Sequence, residues 1–300
     1  MAGTIADATG THAAGPRYSR AFVEAGYNNR AAVPEHPQWF ARWAEVSAAV
    51  RAERRPAMDL RFGPGPKETL DLFLPQGRAR GTFLFLHGGW WRGLDKSDHS
   101  FVAPALVDAG YAVAVANYDL CPGVRIDDIV DEARRAVAWV AREGAAHGAE
   151  PSRVVVGGHS AGGHLTAMMF ATDWAGAGFA APPLHAGVSL SGVHDLRPLT
   201  LFSGNDDWGL DDAAARRLSP VLMAPRVAAP LLVAVGADET SEFRRQSAML
   251  WDAWPAARPR GAGVYLSIPA RHHFDVVFDY TDADSALTRA TLALFDPSPG

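Results

Sequence analysis

From residue 82 onward, short unbroken apolar runs alternate with longer segments whose apolar positions recur every three or four residues. FLFL (83–86), YAVAVANY (111–118), RVVVGG (153–158), HAGVSLSG (185–192), LLVAVG (231–236) and VYLSI (264–268) are the runs. Their continuity predicts strands buried on both faces of a mainly parallel sheet, because only a sheet covered by helices on each side hides both faces. FVAPALVDAG, IDDIVDEARRAVAWVAREG, FRRQSAMLWDAW and a last stretch near 283–295 supply the helical period between them. Upstream, MDLRF and TLDLFL flank GPGP at 63–66 and predict a strand pair joined by a turn that opens the sheet. Before that pair, Trp39, Trp43, Val46 and Val50 fall on one seam of an amphipathic helix, which needs an apolar surface beneath it.

Two stretches break the rhythm, ATDWAGAGFAAPP at 171–183 and LTLFSGNDDWGLDDAAARR at 199–217. Both read as leaving the sheet at the carboxyl ends of its strands, the edge where open α/β sheets bind ligands. Together with the helix at 37–54 they are expected to form a partial cap. No repeat or linker interrupts the pattern, so residues 17–300 are read as one domain, with cap elements from about 17–55 and 199–217. Residues 1–16 lack both a positive leader and an apolar stretch and are read as a flexible tail.

Composition narrows the partners. The chain has 300 residues and 48% hydrophobic content, ample for a continuous core. A net charge of -5, with 28 basic residues and no basic stripe, argues against nucleic acid and for a small-molecule substrate. Cys121 is the single cysteine, so no internal disulfide is possible and a reducing, cytoplasmic location is expected. No apolar run approaches the roughly 18 residues that span a bilayer, so no membrane association is expected.

Candidate chemistry starts at VVVGGHSAGGHL, where Gly158, Ser160 and Gly162 form GxSxG between a strand and a helical run. A sharp turn there lifts the serine oxygen above the sheet and requires small neighbours, while the amide of Ala161 at the helix start faces the same space. FLFLHGGWW ends another buried strand with two glycines. The amides of Gly89 and Trp90, with Gly88 as an alternative, are candidate donors that join Ala161 in holding an oxyanion. His87 is read as a strut for that loop, and at least one of Trp90 and Trp91, with Trp91 the candidate, as lining the acyl pocket. Phe202 and Trp208, in the second irregular stretch, are further candidates for substrate contact, and Trp39 and Trp43 either face the substrate or pack the cap. A serine needs an imidazole to take its proton and a carboxylate to orient that imidazole. The order of such residues in this architecture places the histidine after the last strand, at His272 or His273, and the acid after LLVAVG, at Asp238 or Glu239. Asp195 is a third carboxylate, better read as a turn or cap residue.

HGGWW, NYDLCP, GHSAGGHL, SGVHDL, GADETSEFRRQS and HHF together resemble the arylformamidase (kynurenine formamidase) branch of the α/β hydrolases, which borders the hormone-sensitive lipase-like esterases. The likeness runs from AGYNNR at 25–30 through the final helix. It implies an α/β-hydrolase fold: a central, mostly parallel eight-stranded sheet flanked by helices, with a small partial cap. It implies a triad of Ser160, Glu239 and His273, since the family's acid stands three residues after the glycine that ends its strand and its histidine precedes a phenylalanine. Aspartate is the more usual acid there, so Asp238 stays a competitor. The implied activity is hydrolysis of an N-formyl aryl amide or of an aryl or short-acyl ester, with no metal or organic cofactor, and a homodimer is the family's expectation.

Overall fold

The computed structural model describes residues 18–295; the expected tail at 1–16 lies outside them. Eight strands form one sheet: β1 (Ala57–Arg61), β2 (Thr69–Phe73), β3 (Thr82–Leu86), β4 (Ala112–Ala116), β5 (Val154–His159), β6 (Ala186–Leu190), β7 (Leu231–Gly236) and β8 (Leu266–Ile268). Their order is β1-β2-β4-β3-β5-β6-β7-β8, antiparallel from β1 through β2 to β4 and parallel thereafter. Every strand expected from the apolar runs is present, and the sheet is the mostly parallel one that the resemblance implies.

Among the described residues ten α-helices, with seven short 3-10 turns, accompany the sheet: α1 (Arg20–Tyr27), α2 (Asn29–Ala32), α3 (His36–Arg54), α4 (Pro104–Asp108), α5 (Ile126–Arg142), α6 (Ala161–Ala171), α7 (Asn205–Trp208), α8 (Asp212–Arg217), α9 (Ser241–Ala253) and α10 (Ala286–Ala293). Alternation along the strands divides the core in two. In β3, Leu84 and Leu86 face one side and Phe83 and Phe85 the other; in β4 small alanines alternate with Val113 and Val115 in the same way. The leucine side packs against α5, α6 and α9, and the phenylalanine side against α3, α4 and α10. Period-2 side-chain direction thus gives each face its own helix layer. Among the described residues, no helix is long and apolar enough to cross a membrane.

The two irregular stretches part company here. The 199–217 segment follows β6 and reaches over the loop after β3, where Trp208 Nε1 donates to Trp90 O at 2.7 Å. Residues 171–183 instead follow the end of α6 and lead into β6, and the amide of His185 bonds Val154 O at the start of β5. They therefore lie at the amino-terminal edge of the parallel strands, away from the cap expected for them, because a helix that begins at one edge of a sheet delivers the chain to the other. The α3 seam is as expected: Trp43 and Val50 are buried, and Trp43 sits against Phe101, His159 and Phe274.

Candidate active site

Ser160 stands between β5 and α6 with φ 57° and ψ -116°, a conformation an L-residue adopts only when its surroundings impose it. Gly162 shows why the turn needs missing side chains, since a Cβ there would lie 1.9 Å from Leu86 O, backbone on backbone. The serine is thereby raised at the carboxyl edge of the central strands, 3% exposed.

Its oxygen lies 3.1 Å from His273 Nε2, and His273 Nδ1 lies 2.7 Å from Glu239 Oε2. Glu239 Oε1 accepts from Gly236 N at 2.9 Å and from Ser191 Oγ, so the carboxylate is held at both oxygens. The loops carrying acid and imidazole are joined by their backbones: Ala237 N bonds Ile268 O at 2.8 Å, and Asp238 N bonds Arg271 O at 2.9 Å. Of the alternatives left open by the sequence, Asp238 is exposed on the far side of its turn. His272 pairs with Asp275 and packs on Trp39, and Asp195 is bound to Arg197 at 2.8 Å. None of these three takes part in the Ser160 row.

The loop after β3 has positive φ at Gly89, Trp90 and Trp91 (108°, 55° and 54°), and a Cβ on Gly89 would fall 2.1 Å from Gly93 O. Every carbonyl of the loop is bound away from the serine. His87 O accepts from Tyr118 Oη at 2.7 Å, and Gly88 O lies 2.7 Å from His87 Nδ1. Gly89 O accepts from Arg92 N, Trp90 O from Trp208, and Trp91 O from Cys121 N. The amides of Gly89, Trp90 and Ala161 have no partner among the described residues. In a trans peptide the N–H points opposite the preceding carbonyl, so engaging the carbonyls behind the loop sets its N–H groups on the other side. His87 is fully buried, stacked on Tyr118 at 4.2 Å, with its pKa pushed down to about 4 by burial and then by His99. It is a neutral strut rather than a proton carrier at pH 7.

A narrow pocket of about 30 Å³, room for roughly one or two water-sized groups, opens above Ser160. Gly89, Trp90 and His273 line it together with Asn29, Arg30, Phe40, Trp43, Leu94, His159 and Phe274. Three expected contacts are corrected here. Trp91 is fully buried against His164 and Trp208, behind the loop and out of the pocket. Trp208 is buried and stacked on the back of Trp90, where it holds the loop instead of a ligand. Phe202 belongs to a neighbouring surface cleft with Asn28, Arg92 and Ser203. All three pack on the ring of Trp90, which itself lines the pocket. Trp43 does line the pocket, whereas Trp39 packs on His272 and Phe278.

Sequence reasoning missed Ser191, Asn29 and His159. AGYNNR was the only trace of Asn29, and His159 was visible as the residue before the serine. Burial holds the His159 ring neutral, its pKa driven well below the usual value, with His273 and His99 adding to the effect. Among the described residues no group of three or more His, Cys, Asp or Glu side chains could hold a metal ion.

Comparison with known proteins points to hydrolases. Residues 70–177 match the BD-FAE family. The kynurenine formamidase of Salmo salar is 29% identical over 262 residues, covering 85% of this chain and 87% of the relative. That of Drosophila melanogaster is 27% identical, with 77% and 78% covered. Among solved structures, a provisionally assigned thioesterase from a Silicibacter species superposes with TM-score 0.79 at 34% identity, over 90% of this chain and 99% of that one. An esterase of Pyrobaculum calidifontis shares the fold at TM-score 0.68 and 17% identity, with 87% and 92% covered. Eight strands in this order, the turn at Ser160 and likeness to formamidases over most of the chain converge on one assignment: the chain belongs to the α/β hydrolases as an arylformamidase-like hydrolase bordering the hormone-sensitive lipase-like esterases.

Proposed function

We propose that this chain is a serine hydrolase that cleaves an N-formyl aryl amide, or a small aryl or short-acyl ester, through an acyl-enzyme. The observation that carries the reading is the unbroken row Ser160 Oγ, His273 Nε2, His273 Nδ1, Glu239 Oε2 at 3.1 and 2.7 Å beside unpartnered backbone amides. Ser160 Oγ attacks the carbonyl carbon while His273 takes its proton, and Glu239 fixes the Nδ1–H tautomer and stabilises the imidazolium. The amides of Gly89, Trp90 and Ala161 receive the negative oxygen, each such donor lowering the barrier by about 3 kcal/mol. On collapse the C–N or C–O bond breaks, and His273 delivers the proton to the departing nitrogen or oxygen. A water deprotonated by His273 then releases the acid and restores the serine.

Pocket size favours a formyl or similarly small acyl group, and the rings of Phe40, Trp43, Trp90 and Phe274 offer an aryl leaving group its walls. On this reading residues 17–300 act as one catalytic domain, with the cap drawn from about 17–55 and 199–217. Ser160→Ala is expected to cut kcat/KM on N-formylkynurenine and on p-nitrophenyl acetate by about 10³-fold or more, with Glu239→Gln next in severity. Wild-type rates in Ser160→Ala would reject the mechanism. The two substrates' relative efficiencies with the wild type rank the amide against the ester activity.

A further inference from the structure

Asn29 is 3% exposed, and neither its Oδ1 nor its Nδ2 has a hydrogen-bond partner among the described residues. It lines the same small pocket as Ser160, Gly89, Trp90 and His273. A buried primary amide left without partners is costly, and such groups persist where another molecule satisfies them.

The position of Asn29 is firmly set. Asn28 closes α1 and opens α2, its Oδ1 accepting from Ala31 N at 3.1 Å, while Val33 N bonds Asn29 O at 2.9 Å. Just upstream, Thr240 Oγ1 donates to Gly26 O at 2.6 Å and Gln246 Nε2 to Tyr27 Oη at 2.6 Å. The Tyr27 ring meets Trp90 on one side and Phe243 on the other, and Phe243 in turn touches the His273 ring at 4.5 Å. The short helix carrying Asn29 is therefore fastened to the elements that bear the acid, the imidazole and the backbone donors.

The demand that Asn29 meets follows from what the rest of the pocket supplies. A reacting carbonyl oxygen already has the amides of Gly89, Trp90 and Ala161. What an amide substrate has and an ester lacks is the N–H on the leaving side, and that group needs an acceptor. Ser160 Oγ and both nitrogens of His273 are engaged with one another and with Glu239. His159 Nε2 also lacks a partner, and its ring lines the same pocket, packed against Trp43 and His273. An amide oxygen accepts whatever the state of its neighbours, whereas an imidazole nitrogen accepts only in one tautomer, so Asn29 Oδ1 is the standing acceptor in this pocket.

We propose that Asn29 Oδ1 accepts the scissile N–H of an amide substrate, making Asn29 the residue that favours amides over esters. The inference rests on the serine-hydrolase reading above. Full-length wild type, Asn29→Ala and Asn29→Leu are compared on 4-nitroformanilide and 4-nitrophenyl formate, which differ only in N–H against O at the scissile atom. The ratio of kcat/KM, amide over ester, is expected to fall about 10-fold or more in both variants. Tm should stay level or rise, because a buried unpartnered amide has been removed. Equal losses on both substrates, an unmoved ratio, or variants that fail to fold would each overturn the assignment. Ser160→Ala in the same assay separates the two questions. Activity that survives it, or a wild type inactive on both substrates, rejects the serine mechanism; loss of activity in Ser160→Ala alongside a ratio indifferent to Asn29 rejects only the role of Asn29.

Discussion

Two turns deliver backbone N–H groups to the space above Ser160, and they are held in opposite ways. The turn from β5 into α6 is fixed by subtraction: side chains are missing where backbone meets backbone, most tightly at Gly162. The loop after β3 is fixed by attachment, each carbonyl from His87 to Trp91 engaged behind it, several by residues distant in sequence such as Tyr118, Cys121 and Trp208. Steric exclusion leaves the first turn no alternative shape. The second holds its shape only while its partners stay in place, so the two should fail differently.

The largest effect belongs to the first turn. Gly162→Ala puts a methyl group into the Leu86 carbonyl, which cannot yield without moving β3, and a cost above about 4 kcal/mol is expected. Thermal unfolding should show a large drop in Tm or no folded protein at all; a variant of wild-type Tm would mean that this turn adjusts as freely as its counterpart.

An intermediate effect is expected from Trp208→Phe, which keeps most of the stacking on Trp90 but removes the Nε1 donor to Trp90 O. The fold should survive, while kcat falls about 10-fold with KM nearly constant, as when donors to a transition-state charge lose their aim. If kcat and KM moved together, Trp208 would be acting through the shape of the pocket rather than through the loop.

The smallest effect concerns pH. His87 and His99 beneath the loop and His164 in α6 are pushed down to about 4, chiefly by burial, and burial also drives His159 well below the usual value. Unfolding releases these rings to the ordinary value near 6.5, so between pH 6.5 and 4 the unfolded chain binds more protons. The stability these groups confer is complete above that window and is lost as pH falls through it, at most about 1.4 kcal/mol per ring per pH unit. His87→Gln should shed one ring's share of this acid sensitivity, visible as a smaller fall in Tm between pH 7 and pH 5 than wild type shows.

The same contrast accounts for what the sequence could reveal. The eight strands and the turn at Ser160 are written in local patterns, apolar runs and small residues at fixed offsets, so a linear reading finds them. The fastening of the β3 loop depends on groups from elsewhere in the chain, and Trp208 reads as a ligand contact in the sequence because its reach to Trp90 O has no local signature. Family likeness, rather than pattern, favoured Glu239 over its neighbour Asp238; the structure gives the reason in a turn that buries one carboxylate and exposes the other. Asn29 escaped notice because an asparagine that opens a short helix is ordinary, and only its enclosure is not. The placing of 171–183 failed for a topological reason, since an irregular segment after a helix resembles one after a strand until the direction of the chain is known.

The ties from Gly26 to Thr240 and from Tyr27 to Gln246 span 214 and 219 positions. A ribosome that has made α1 and α2 must therefore synthesise more than two hundred further residues before those helices find their seat. Until then the aromatic underside of this roof is bare, and nascent chains are at their stickiest; chaperone demand should fall on that interval, and a synonymous-codon change that slows translation before residue 240 would lengthen it.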